Sequence, residues 1–406
     1  MDYQSPILMF CLCSAFFVSS EGLDGRFHTG RIVDGGLSTF DVKVPNIDND
    51  GDGDIISLPT TQPFVYVYEN ANNGSWVLHE TLVDINNTVY RFLAIGDIDE
   101  DGFLDLFITS ENIYWLRNQG NYSFEMINLR EEVLSHVEDF SSIKAFLGDV
   151  NGDGHLDVAV GGYAKIFYLE GNGAGSFKLH TTSLSESYVH TVFAYDMNAD
   201  GTNELLVGTV GGLLLYTYDN SSSQFREQST ILNNTVTFPY QSSFTVGHLE
   251  DSNSVNIVLA IHSAILYVRS HDMYKTDREL EAQLVTNATA GGLAMSAVVA
   301  DLDLDGDDDI VGIVSREAGT TVSWYENLGG GSFSEINIVA NESSCFALSV
   351  AVGDIDGDGF QDIIFGCTDA EGISWYRNGE YYSYISGYVK TVYIGEFLAF
   401  IASCLT

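Results

Sequence analysis

Positive charge is scarce in this chain. Only 16 of its 406 residues are Lys or Arg, against 57 Asp and Glu, for a formal charge of -41 at pH 7. A surface this negative repels phosphate backbones and anionic headgroups, so nucleic acid and acidic membranes are poor partners. Cysteine is scarce as well, with five in total, of which Cys11 and Cys13 lie in an amino-terminal apolar stretch. The remaining Cys345, Cys367 and Cys404 allow one disulfide and leave one thiol over, too little to be the main staple of a domain this size. No later run reaches the roughly 20 apolar residues of a membrane helix, so no membrane insertion is expected. Catalytic signatures are missing too. The nine histidines show no H-x-x-x-H spacing, there is no G-x-S-x-G, and "GNGAGSF" reads as a hairpin turn rather than a phosphate loop. The expectation is a protein that binds and does not catalyse.

The stretch "ILMFCLCSAFFV" followed by "SSEG" reads as a signal peptide over residues 1–20, although its leading segment carries Asp2 and no basic residue. Secretion, in solution or at a cell surface, is the expected localisation. Seven N-x-S/T sequons agree with it: Asn73, Asn86, Asn121, Asn220, Asn233, Asn287 and Asn341. All fall in predicted inter-strand loops, where a glycan can be accommodated.

What the chain does have is aspartate, and it is concentrated. Residues 301–310, "DLDLDGDDDI", put six aspartates between the apolar runs "SAVVA" and "IVGIV". Burying unpaired carboxylates costs several kcal/mol each or forces protonation, so a cation is implied. The pattern D-x-D-x-D-G-x-x-D offers side-chain oxygens at positions 1, 3, 5 and 9 and a carbonyl at 7, which suits the irregular oxygen shell of calcium better than magnesium. Gly306 supplies the sharp turn. The pattern recurs from Asn46, Asp97, Asp149, Asp196, Asp301 and Asp354, with a degenerate copy, "HLEDSNSVN", from His248. Intervals of 51, 52, 47, 52, 53 and 53 residues mean one supersecondary unit repeated seven times.

Each unit reads as four strands: an apolar run into the acid loop, a second run out of it, an aromatic third strand, then an Asn/Gly-rich hairpin turn and a fourth. The strands separate these loops from EF-hands, which need flanking helices and an acidic twelfth residue; here that position is Ile108, Val160, Val207, Gly312 or Phe365. One aromatic also keeps the period, at Tyr66, Trp115, Tyr168, Tyr216, Tyr267, Trp324 and Trp375. Packing between neighbouring units is its expected role, ahead of sugar stacking.

Seven such units fit an all-β fold, a seven-bladed β-propeller of four-stranded blades with the acid loops between strands 1 and 2. The acid loops, with "SWYENLGGGSF" and "SWYRNG" after them, resemble the VCBS and FG-GAP repeats of integrin alpha-subunit heads and many secreted proteins. The resemblance runs over roughly residues 27–390 and implies calcium in the loops, up to six ions, with the fifth blade left without metal. Carried over position by position, the implied ligands are Asn46, Asp48, Asp50 and Asp54; Asp97, Asp99, Asp101 and Asp105; Asp149, Asn151, Asp153 and Asp157. The later loops contribute Asp196, Asn198, Asp200 and Glu204; Asp301, Asp303, Asp305 and Asp309; Asp354, Asp356, Asp358 and Asp362. Six dications would offset part of the negative charge.

The propeller is expected over 38–390, with blades near 38–84, 89–134, 141–184, 188–233, 241–287, 292–340 and 344–390. Two segments compete for the closing strand of the last blade: "RFHTGRIVDGG" within the amino-terminal segment around 21–37, and "YYSYISGYV" after Trp375. The apolar tail 391–406 has no assigned role. In this architecture the face opposite the acid loops is a common binding surface. Sequons at Asn86, Asn233, Asn287 and Asn341 would shield much of it. The unglycosylated links 128–140 and 183–192 make blades two to four the expected open sector, with Arg130, His136, Tyr188 and His190 as candidates. The leading functional expectation is a monomeric, extracellular recognition or adhesion module for protein or glycan with structural calcium. A lectin or a polysaccharide-acting, lyase-like enzyme on the same propeller is the alternative. An integrin-like receptor is a third reading, weakened because six competent loops exceed the number the integrin resemblance implies.

Overall fold

Strand formation follows from the apolar runs on either side of each acid loop. The computed structural model describes residues 27, 31–34, 38–60, 62–71, 75–82, 92–110, 112–134, 144–233, 243–250, 255–261, 264–269, 282–288, 292–334, 336–368 and 372–379. The expected signal peptide, the tail, Cys404, His136, Asn73, Asn86 and "YYSYISGYV" lie outside the described residues. The second strands of the repeats, such as Asp105–Thr109, Asp157–Gly161 and Asp362–Cys367, are buried along their whole length. That is why they read as continuous apolar runs without alternation.

The strands form five four-stranded antiparallel sheets and one of seven strands. Within a repeat they meander in chain order. The residue before each loop pairs with the ninth loop residue, as in Gly96 with Asp105, Gly148 with Asp157 and Ala300 with Asp309. Each acid loop is thereby clamped at both ends of one ladder step. The seven-stranded sheet arises from one 19-residue strand, Phe177–Tyr195. Its first half pairs with Tyr163–Gly171 and its second with Glu204–Thr209. The segment 183–192, expected to be a loop, is therefore strand. It contains no Gly, Pro, Asn or Asp to break the chain, so the strand runs on from one repeat into the next.

The amino-terminal candidate occupies the outer edge of the last sheet: Arg31–Asp34 pairs with Ile373–Tyr376, and Phe27 bridges Asn378. Apolar packing runs between sheets rather than within them. Each buried cluster joins consecutive repeats, as where Ile47, Ile56 and Val67 meet Leu93, Leu106 and Leu116. One joins Val42, Ile55 and Tyr66 of the first repeat to Ile364, Ile373 and Trp375 of the last. The same closure appears in hydrogen bonds. At the end of the third strand an asparagine reaches back to the preceding acid loop: Asn118 Nδ2 donates to Ile47 O at 3.1 Å, Asn327 to Leu249 O at 3.0 Å and Asn378 to Leu302 O at 2.7 Å. Asn70 does so across the ring, donating to Ile355 O at 2.7 Å. A disulfide joins Cys345 to Cys367.

Replacing Asn118 by Ala leaves the carbonyls of Ile47 and Leu104 without this donor in a buried setting. It is expected to cost about 2 kcal/mol of unfolding free energy in denaturant titration; a loss indistinguishable from zero would show that the latch carries no stability.

Candidate functional site

The sixth loop residue turns the chain. Gly51, Gly102, Gly154, Gly201, Gly306 and Gly359 all have φ between +88° and +106°, a region closed to side chains without strain. The first carboxylate then caps the turn. Asp97, Asp149, Asp196 and Asp354 each accept the amide N–H groups four and five residues on, at 2.8–3.1 Å.

The ninth residue has a different role. Asp54, Asp105, Asp157, Asp309 and Asp362 are almost fully buried. One oxygen of each accepts the second loop residue's N–H; the other accepts an N–H from the end of the third strand. Glu204 keeps the first of these contacts, from Met197 N. So does Asn256 in the degenerate loop, accepting from Leu249 N at 3.0 Å. The ninth position thus survives where the other candidate ligands are lost, because it braces the loop whether or not a metal is held. Burial is the main cause pushing Asp54, Asp105, Asp157 and Asp309 up to about 6 and Asp362 to about 7, against the pull of their N–H partners.

Carboxylate oxygens converge in three loops. Those of Asp97, Asp99 and Asp101, of Asp301, Asp303 and Asp309, and of Asp354, Asp356 and Asp358 lie within 4.8 Å of one another. Oxygens about 2.4 Å from a common ion can be no farther apart than that. One oxygen each of Asp99, Asp301 and Asp356 is buried with no hydrogen-bond partner among the described residues, a cost that a hard cation would remove. In the loops from Asn46, Asp149 and Asp196 an amide replaces one carboxylate, and no three acidic groups gather among the described residues. There Asn151 donates to Asp153 and Asn198 to Glu204. Asp52, absent from the predicted set, adds a further carboxyl pushed up to about 7 by burial and by Asp50.

Three arginines, missed from the sequence, stand two residues after the repeated aromatic. Arg117 pairs with Asp99, Arg377 with Asp356 and Asp358, and Arg269 with Glu250 of the degenerate loop. The spacing from Trp115, Trp375 and Tyr267 was the available signal. The aromatics themselves are buried and pack between repeats: Trp115 meets Phe177, Trp375 meets Trp76, and Tyr267 meets Phe333 edge-on. Tyr168 also donates its hydroxyl to Asp157 at 2.8 Å.

The predicted binding sector divides. Tyr188 is 43% exposed and pairs in register with Tyr163, 50% exposed, their rings 4.8 Å apart. Both lie away from the acid loops, Tyr163 at the start of its strand and Tyr188 within the 19-residue strand. His190 is 5% exposed; the strand that replaces the expected loop turns it inward, so it is not a surface candidate. Arg130 sits half-buried in the helical turn Leu129–Glu132. Among the sequons, Asn121 and Asn220 occupy exposed turns. Asn341 lies within an outer strand rather than a loop, Asn287 and Asn233 each end one, and the side chains of Asn287 and Asn341 are exposed. No helix among the described residues is long and apolar enough to cross a membrane.

Four-stranded meanders packed in a closed series, each turning through an acid loop at the same step, define a β-propeller repeat protein. Residues 46–108, 97–160, 149–207 and 301–365 match the FG-GAP-like repeat, and the chain belongs to that family. A search of the curated proteins finds no match. Among solved structures, an Agrocybe aegerita lectin described as recognising non-reducing terminal N-acetylglucosamine is 19% identical. Its TM-score is 0.54, over 84% of this chain and 86% of the lectin. BBS1N, solved in complex with ARL6DN, is 11% identical with a TM-score of 0.57, over 87% of this chain and 98% of its own. At these identities the likeness is one of fold.

The raised carboxyls set a pH dependence for metal-free protein. Their unfolded counterparts titrate near pH 4, so the folded chain binds more protons between there and about 6 to 7. Stability should fall as pH rises through that window. Denaturant midpoints of chelator-treated protein should drop from pH 5 to 7, and excess calcium should flatten the trend; a rise without metal would contradict it.

Proposed function

We propose that this chain is a calcium-stabilised, seven-bladed β-propeller that works outside the cell as a recognition module for protein or glycan. Inner strands of seven repeats around one cavity, and a cluster joining the last repeat to the first, support the blade count. The orphaned oxygens of Asp99, Asp301 and Asp356 support the cation. Oxygen-only donors in an irregular loop favour calcium over transition metals. In the fifth blade, Arg269 paired with Glu250 supplies the positive charge internally. The Cys345–Cys367 disulfide suits an oxidising compartment.

The observation that carries recognition is the Tyr163–Tyr188 pair. Two neighbouring tyrosines, about half exposed at the face away from the metal loops, offer rigid amphipathic surface at low entropic cost. The lectin of similar fold makes glycan the first ligand class to test. The regular acid loops are assigned to metal holding rather than to acid–base chemistry.

Two measurements check this reading. Calcium at a hundredfold excess over its Kd adds about 2.7 kcal/mol per site, so chelator should lower the melting midpoint strongly and metal analysis should return several calcium ions per chain. On a glycan array and against candidate extracellular proteins, the Tyr163→Ala/Tyr188→Ala variant should lose binding about tenfold or more with its melting curve unchanged. Full binding by that variant would remove the face from consideration.

A further inference from the structure

The innermost strands enclose a cavity of about 620 Å³, within the roughly 300–1,000 Å³ of small-molecule sites. Five residues before the start of each acid loop, every repeat places one side chain on its wall: Asp41, Lys144, Thr191, Ser243, Ser296 and Ser349, with Phe92 in the second repeat. The common offset puts them at one level, as a polar ring. At four of these positions the strand pairing slips immediately upstream, between Thr39 and Asp41, Val189 and Thr191, Ala294 and Ser296, and Ala347 and Ser349. Such bulges re-aim the next side chain and recur beside functional sites.

Asp41 organises one side of the ring. Its Oδ1 accepts from Ser349 Oγ at 2.6 Å and Lys43 Nζ at 2.9 Å, and its Oδ2 from Leu93 N at 3.2 Å. Lys43 and Lys144 thus bring two of the chain's 16 cationic side chains to one wall, where Asp41 is the one carboxylate among the described lining residues. Two residues further along, the lining is mostly apolar, with Phe146 and Phe193 edge-to-face at 5.4 Å and only Lys43 and Thr245 polar among the described residues at that level. Low-dielectric walls focus the field of such charges.

We propose that this cavity is a binding site for a small hydroxylated carboxylate of the sugar-acid class. The carboxylate meets Lys144 and Lys43, the hydroxyls meet Thr191, Ser243, Ser296 and Ser349, and the apolar face of the ring rests on Phe146 and Phe193. The site is separate from the acid loops and from the Tyr163–Tyr188 surface.

Calorimetric titration of the calcium-loaded full chain with glucuronate, gluconate and glucose tests it. At least one of the two acids should bind at a single site, with glucose about tenfold weaker or absent, because it lacks the charge-assisted contact. Lys144→Met should weaken acid binding about tenfold, with calcium content and melting midpoint unchanged; Lys144→Arg should retain most of it. Burial pushes the Lys144 ammonium down to about 8, opposed by Asp41 and reinforced by Lys43, the other titratable groups among the described lining residues. An anion favours the charged form, so affinity should fall from pH 7 to 9. If Lys144→Met does not fold, Ser296→Ala and Lys43→Met should each weaken binding in folded protein. Failure of both acids to bind, equal binding of glucose, or full binding by folded variants would overturn the proposal.

Discussion

A buried hydrogen-bond acceptor at the ninth position of each acid loop is the constraint on which the rest of this structure depends. It ties the start of the loop to its end through the second residue's N–H, and ties both to the third strand. The third-strand asparagine that meets it sends its own side chain to the preceding loop. One carboxylate and one amide therefore fix the loop, its sheet and the neighbouring repeat in a single connected unit. Loop conformation and the angle between repeats cannot then be set independently. The latch from Asn70 to Ile355 extends the same connection from the first repeat to the last.

Charge is arranged around that constraint. Inside the sheets a carboxylate is acceptable only because backbone N–H groups surround it, and burial still raises its affinity for protons. At the loop surface, groups of like charge are crowded without enough donors to satisfy them. An arginine answers the crowding beside Asp99 and Asp356, and in the degenerate loop Arg269 answers it at Glu250. A bound dication would answer it more completely, since it would take oxygens from several residues at once. The aromatic of the third strand sits where it can do two things, filling the space between sheets and, at Tyr168, donating to the ninth carboxylate.

Much of this was legible before any coordinates, because the period of about 50 residues, the acidic spacing and the apolar second strands are all one-dimensional signals. The rest was not, for identifiable reasons. Asn118 and Asn327 looked like ordinary turn residues; their partners lie 71 and 78 positions away. Asn256 looked like debris of a lost metal loop, since a ligand and a brace require the same oxygen. The link 183–192 was read as a loop from the repeat boundary. Local composition, free of strand breakers, decided otherwise and took His190 into the interior.

Internal repetition also separates what the fold demands from what it tolerates. The sixth-position glycine recurs in all six acidic loops and the ninth-position acceptor even in the degenerate one, and both have a mechanical cause that any repeat must meet. The residue five places upstream obeys no such rule. It is Asp, Phe, Lys, Thr or Ser in different repeats, although the backbone delivers it to the same level of the same cavity each time. Neither loop closure nor packing between sheets calls for an acid in one repeat and a base in another. Variation confined to a wall that the scaffold holds rigid is what a binding site built from repeats requires, since a ring of identical side chains could not recognise an asymmetric ligand. The same holds for the long strand Phe177–Tyr195, which departs from the repeat pattern at the place where Tyr188 meets Tyr163. Function in such a molecule is to be sought where its repeats disagree.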